Sequence, residues 1–362
     1  MSKIIPPAIE ALAPYVPGRL IEEVEAELGL TGMVKLASNE NCLGPSPKAV
    51  EAMSALMTRT HRYGDADSRA LKTALAEKFG LNPESILIGN GSSEFILTLS
   101  HALLAPGLRA VMSKPSFTLY AKNAQAAGAE VVEAPLTPAY GHDLAALRDL
   151  VDERTRLVFL DNPLNPTGAW LEAEELLDFR RSLPETAVLV VDEAYVDFAR
   201  RPRPNWTEAL TGSGPLAVLR TFSKAYGLAG LRAAYALMSP ELVRALNKIR
   251  QPFNLNCFAQ AGALAALADE AFLQKTLETT WAGLDYFAAQ FRRLGLTPYP
   301  TEANFLMVGL GGRSAEAVFQ AVLRQGVITR SLSSFGLPGH LRVNAGLPAE
   351  EETLIRALEA VL

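Results

Sequence analysis

The chain has 362 residues, 49% hydrophobic and 20% charged, a composition that suits a folded globular protein with room for two cores and excludes a disordered chain. Its 34 basic and 39 acidic residues leave a net charge of -5 with no Lys/Arg block, which argues against a nucleic-acid partner. Cys42 and Cys257 lack CxxC spacing, and His61, His101, His142 and His340 form no HxH or HExxH pair, so neither a disulfide framework nor a metal site is expected.

The N-terminal stretch MSKIIPPAIEALAPYVPGR carries four prolines before residue 18, which interrupt the apolar run that a signal peptide or a spanning helix needs. A cytoplasmic protein with no membrane contact is expected. Residues 1–45 read as an arm packed on the rest. From about residue 50 to 250, short apolar runs alternate with stretches of helical period: SILIG, LRAVMS, AEVVEAP, RLVFLDNP, AVLVVDEAY, LAVLRTFS and RAAYALM are the runs. Their hydrophobicity is continuous rather than alternating, the mark of strands covered on both faces. Residues 46–252 are therefore expected to form a large α/β domain, a mostly parallel seven-stranded sheet sandwiched by helices.

After residue 252 the pattern changes. A long helical region runs through FAQAGALAALADEAFLQKTLETTWAGLDYFAAQFRRLG, followed by NFLMVGL, a helix over SAEAVFQAVLRQ, the strands VITR and HLRVNAG, and a last helix. Residues 253–362 read as a smaller α+β domain joined through the long helix.

Four strand ends carry groups suited to chemistry. Lys224 follows the strand LAVLRT, where open α/β sheets bind their ligands, and Thr221, Ser223 and Arg232 around it supply two hydroxyls and a guanidinium that suit a phosphate. An isolated lysine there would be read as a solvated surface residue. Gly91, Ser92 and Ser93 lie in GNGSSE, which runs from a strand into a helix whose N-terminal N–H groups attract a phosphate; an ordinary strand-to-helix turn fits that stretch equally well. Neither GxGxxG nor GxxxxGK[ST] is present. Asp192 ends the run VLVVD, with Tyr195 three residues on; the carboxylate either caps a turn or pairs with a cationic ring nitrogen. In DNPLNPTG, two Asn-Pro steps and a Gly force an irregular turn from which Asn165 can project an amide. An amine, a phosphate cradle, a carboxylate and two groups for a phenolic oxygen are the parts needed to hold pyridoxal 5'-phosphate.

With PYVPGR, KLASNENCLGPSP, RYGDADSRAL, NPTG, DEAY, SKAYGLAGLR and LRVNAG, the sequence resembles the fold-type I pyridoxal-phosphate aminotransferases over nearly its whole length, and within them the branch acting on histidinol phosphate. The resemblance implies a transamination between L-histidinol phosphate and 2-oxoglutarate, giving imidazole acetol phosphate and L-glutamate in histidine biosynthesis. It implies Lys224 as the Schiff-base lysine and base, Asp192 on the ring nitrogen, Asn165 and Tyr195 on the ring oxygen, and Phe117 stacked on the ring. Gly91, Ser92, Ser93, Thr221, Ser223 and Arg232 would hold the phosphate. Tyr63 would reach that phosphate from a partner subunit, implying a homodimer with shared sites. Arg330 and Arg342 would engage acidic groups of the substrate, Tyr15 would close the pocket, and Asn165 would line it. Leu164, Phe117, Gly64 and Cys42 depart from the usual pattern, and none of these changes removes a catalytic group. An aromatic amino acid aminotransferase and a threonine-phosphate decarboxylase share the same motifs. A regulator that binds the cofactor without catalysis would need a DNA-binding segment for which this chain has no spare domain.

Overall fold

The computed structural model describes residues 4–15, 17–211 and 215–362; Val16, within the Pro14–Arg19 motif, lies outside them. The short strand β1 (Val34–Lys35) precedes the large sheet, whose strands are β2 (Ile86–Asn90), β3 (Arg109–Lys114), β4 (Glu130–Pro135), β5 (Thr155–Asp161), β6 (Val188–Asp192), β7 (Leu216–Thr221) and β8 (Ala233–Met238). These seven lie in the order β2-β8-β7-β6-β5-β3-β4. β8 is antiparallel to both of its neighbours, and the other pairings are parallel.

The continuous hydrophobicity of the runs has the expected cause. Along β5, Leu157 and Phe159 enter the core on one face, and Val158 and Leu160 the core on the other. The same alternation in β6 sends Val188 and Val190 one way and Leu189 and Val191 the other. Carried one residue further, this period of two puts Asp161 and Asp192 on the same face as Phe159 and Val190. The sheet thus delivers its polar strand ends in register.

The smaller sheet runs β12-β13-β10-β9, all antiparallel, built from β9 (Thr297–Pro298), β10 (Phe305–Gly309), β12 (Arg330–Ser331) and β13 (His340–Asn344). Two elements differ from expectation. VITR is not one strand: Val327–Ile328 forms β11, which pairs with β1, whereas Arg330–Ser331 joins β13. The break at Thr329 lets one short segment serve two sheets and turns Arg330 toward β13. The long helical region also divides, into Cys257–Leu267 and Glu270–Arg293. At the junction, Asp269 is buried and accepts from the Ser46 hydroxyl while Lys48 pairs with it, so its carboxylate is tied across the fold rather than left along a helix. Ala259, Ala263 and Ala266 of the first helix belong to the core under the large sheet, and Leu284, Phe287 and Phe291 of the second to the core of the small one. Leu36, just after β1, packs in the latter core.

Candidate active site

Lys224 sits just past the C-terminal end of β7, half-buried, with Nζ donating to the Ser38 carbonyl at 3.2 Å and lying 5.6 Å from the centre of the Tyr195 ring. Burial, and after it the Arg342 guanidinium, bring its ammonium down to about 8. At the end of β6, Asp192 is buried and receives two hydrogen bonds, from the Tyr120 hydroxyl to Oδ2 and from the Ala194 N–H to Oδ1, both at 3.0 Å. Burial raises its carboxyl to about 6, against the pull of those donors and of Lys224.

The phosphate-type groups converge as well. Gly91 precedes the helix Ser92–Leu103, which has no side-chain cap, and its φ of 78° and ψ of 157° belong to a region almost reserved for glycine. A Cβ on Gly91 would overlap the Arg232 guanidinium, so the missing side chain is what lets Arg232 lie across the helix start beside Ser93. Arg232 itself has a positive φ of 60°. In the neighbouring turn the Thr221 hydroxyl donates to Ser223 Oγ at 2.9 Å and accepts from the Ser223 N–H at 3.0 Å, and both residues are buried.

Arg330 and Arg342 are register partners on β12 and β13. Arg342 is buried: Nη1 donates to Asn165 Oδ1, Nη2 donates to the Ala37 carbonyl at 2.9 Å, and Nε has no partner. Its guanidinium is brought down to about 10, by burial first and with Arg330 adding to the effect. Phe117 meets Tyr120 edge-on at 5.5 Å, and Tyr120 stacks on Phe159 at 4.7 Å, so an aromatic shelf lies beside Asp192.

Three predicted residues, Tyr15, Tyr63 and Arg232, are exposed in the single chain. Tyr15 is 53% exposed, with Lys122 Nζ 5.8 Å from its ring centre. Tyr63 is 84% exposed, stacks on Phe253 at 4.5 Å and lines a groove of about 350 Å³ with Arg59, Arg62, Cys257 and Gln260. No residue of the Lys224 cluster lines that groove.

Two side chains outside the predicted set touch predicted ones. Asn39, at a φ of 57°, donates from Nδ2 to the Tyr195 hydroxyl oxygen at 2.9 Å and from its backbone N–H to Asn344 Oδ1 at 3.0 Å, and its carbonyl accepts from Asn304 Nδ2. Tyr120, the donor to Asp192, was read only as part of a helix. Asn39 lay within a quoted motif; Tyr120 carried no local signal.

The group that these residues fit is acidic, aromatic and phosphate-bearing. A capless helix start with a glycine that makes room for a guanidinium suits a phosphate, the shelf of Phe117 suits a ring, and the unpartnered Arg342 Nε is a buried donor with no internal acceptor. Among the described residues, no cluster of His, Cys, Asp or Glu is arranged to hold a metal ion, and no helix is long and apolar enough to cross a membrane.

The model of the family "Aminotransferase class I and II" matches residues 31–361, and the chain belongs to that family. It is 44% identical to histidinol-phosphate aminotransferase 2 of Pseudomonas fluorescens strain Pf0-1 over 98% of this chain and 96% of that one. It is 46% identical to histidinol-phosphate aminotransferase 2 of Methylococcus capsulatus, over 98% and 97% of the two chains. Among solved structures, the histidinol-phosphate aminotransferase of Sinorhizobium meliloti in complex with pyridoxal-5'-phosphate superposes with a TM-score of 0.91 at 29% identity, covering 100% of this chain and 99% of that one.

Proposed function

We infer that the chain is a pyridoxal 5'-phosphate-dependent transaminase that passes the amino group of L-histidinol phosphate to 2-oxoglutarate, giving imidazole acetol phosphate and L-glutamate. The observation that carries this reading is the cross-strand pair Arg330 and Arg342, of which Arg342 donates to the Asn165 amide and lowers the Lys224 ammonium. Two guanidinium groups suit a dianionic phosphate better than a single carboxylate, because they match both its charge and its number of acceptor oxygens.

When bound, pyridoxal phosphate supplies an aldehyde that links to amines and a pyridine ring that takes up the electron pair left at Cα when a proton departs. The chain's own residues do the rest. Lys224, with an ammonium pKa near 8, is available as a neutral amine close to physiological pH, and Nζ would take the Cα proton of the donor and return it to the carbon on the far side of the substrate nitrogen. Asp192 would hold a carboxylate toward the ring nitrogen and favour its protonated form. Asn39 donates to the Tyr195 oxygen, so the phenolic proton of Tyr195 stays free to be donated to the ring oxygen. Arg342 occupies the Asn165 carbonyl, which leaves the Asn165 NH2 as a second donor for that oxygen. Gly91, Ser92, Ser93, Thr221, Ser223 and Arg232 anchor the phosphate, and Phe117 covers the ring.

Tyr63 completes the phosphate site of a second copy, in a homodimer with shared sites. Its exposure and its stacking on Phe253 beside a groove support that placement. Tyr15 closes the pocket over Arg342. A cytoplasmic location goes with this biosynthetic role.

Turnover of histidinol phosphate with 2-oxoglutarate, measured beside phenylalanine and threonine phosphate, tests the assignment. Preference for histidinol phosphate by at least about tenfold in kcat/KM is expected, the scale that one lost charged contact produces. Preference for phenylalanine, or carbon dioxide release from threonine phosphate, would replace it.

A further inference from the structure

The pair Asp161 and Asp192 places two carboxyl groups side by side. The last residues of β5 and β6 are register partners, both are buried, and both point to the same face of the sheet. Only Asp192 has a role in the proposed reaction. We propose that Asp161 is a positioning residue for that reaction, held as a neutral carboxylic acid so that it fixes the Asn165 turn while the negative charge of the pair rests on Asp192.

Three observations carry this. First, the donors are unequal: both oxygens of Asp192 receive a well-formed hydrogen bond, whereas Asp161 receives one such bond, from the Asn165 N–H to Oδ2 at 2.8 Å; its own N–H and the Ser116 hydroxyl act on it more weakly, and Oδ1 has no partner within hydrogen-bond distance among the described residues. A lone charge is therefore better held on Asp192, and two adjacent buried carboxylates repel. Second, among the described residues no cation pairs with Asp161. His142 lies 3.7 Å from Oδ1, but its Nε2 bonds to the Asp161 carbonyl at 2.9 Å, so Nε2 carries the proton. The Ser113 hydroxyl, 2.7 Å from Nδ1, then donates to that nitrogen, which leaves a neutral ring, and burial holds its pKa near 4. The other ionisable groups facing Asp161 are Asp192, Tyr120 and Tyr195, none of them cationic. Burial first, and Asp192 with it, push the Asp161 carboxyl up to about 8, while the Asn165 N–H, its own N–H and the Ser116 hydroxyl pull it down. Third, Asp161 is gripped at both ends, by His142 at its carbonyl and by Asn165 at its side chain, so it sets where the Asn165 amide projects.

The role assigned to Asp161 rests on the transaminase reading; its protonation state does not. Denaturant unfolding of the full-length protein with its cofactor, from about pH 5 to about pH 8, compares the wild type with Asp161→Asn. A carboxyl neutral in the fold and ionised in the unfolded chain makes folding take up a proton, so stability falls as pH rises from the unfolded carboxyl value of about 4. The wild-type folded-to-unfolded ratio should fall more steeply than that of Asp161→Asn, by up to about tenfold per pH unit. Equal slopes would overturn the proposal, since Asp161 would then be ionised in the fold. In turnover, Asp161→Ala, which offers Asn165 no acceptor, should lower kcat/KM by at least about tenfold, and Asp161→Asn should restore most of the loss. An Asn variant as poor as the Ala variant would overturn the positioning role. If Asp161→Ala does not fold, the pH slope of Asp161→Asn still decides. A flatter Asp161→Asn profile in a protein whose wild type does not transaminate would leave the protonation state standing and remove the functional reading alone.

Discussion

Arg330 and Arg342 are direct cross-strand partners on antiparallel strands, and Arg342 also donates to the Asn165 amide. Like charges placed opposite one another destabilise a sheet, and on the proposed reading an anionic substrate group would offset that cost. Arg330→Ala should raise the Michaelis constant for histidinol phosphate by roughly ten- to hundredfold, on the scale of about 1.5–3 kcal/mol for a charged hydrogen bond. The constant for an unphosphorylated aromatic amine should change much less. Equal losses for both would mean that Arg330 does not read the phosphate.

Lys224 owes its lowered pKa of about 8 to burial and then to Arg342. Only the neutral amine attacks an aldehyde, so the rate at which cofactor-stripped protein captures pyridoxal phosphate should climb about tenfold per pH unit and level off near pH 8. Arg342→Leu removes a cation that favours the neutral amine and should move that inflection to higher pH. Stopped-flow absorbance reads both; an inflection that moved down, or not at all, would remove the coupling between the two side chains.

Much of this site was legible before the fold was known, because strands buried on both faces are continuous apolar runs and their ends are where polar residues first appear. Asp192 ends such a run, and Lys224 and Asn165 follow the ends of β7 and β5, Thr221 and Asp161, within one turn. Asn39 was not legible as a site residue: its role depends on Tyr195, Asn304 and Asn344, which lie 156, 265 and 305 residues away in sequence. Tyr120 lies in a helix whose period marks it for the core, and nothing local reveals that its hydroxyl meets Asp192. The split of VITR escaped notice for a similar reason, since four apolar and polar residues read alike whether one sheet or two receive them.

Gly91 is the position where backbone freedom matters most, because its φ and ψ exclude other residues and a Cβ would strike Arg232. Gly91→Ala should weaken cofactor binding by about tenfold or more, with strain of order 1–3 kcal/mol at that turn. Equilibrium titration of stripped protein with the cofactor checks it. Unchanged affinity would move the phosphate site elsewhere.

Tyr63 is 84% exposed in the single chain, and the proposed dimer would bring its hydroxyl to a partner's phosphate site. Tyr63→Phe should weaken cofactor binding without unfolding the chain, by about 0.5–1.5 kcal/mol for one hydroxyl contact or more to a charged partner. Sedimentation at assay concentration should find a dimer. A fully active monomer would contradict the shared site.

The most direct measurement follows the nitrogen atom. Histidinol phosphate carrying 15N at its amino group is incubated with unlabelled 2-oxoglutarate and the enzyme, and the products are read by mass spectrometry. A transaminase built on Lys224, Asp192 and the Arg330–Arg342 pair delivers the label to glutamate and leaves imidazole acetol phosphate with its carbon skeleton intact. Label recovered as free ammonium, or glutamate left unlabelled while phenylalanine in place of histidinol phosphate labels it readily, would contradict the account.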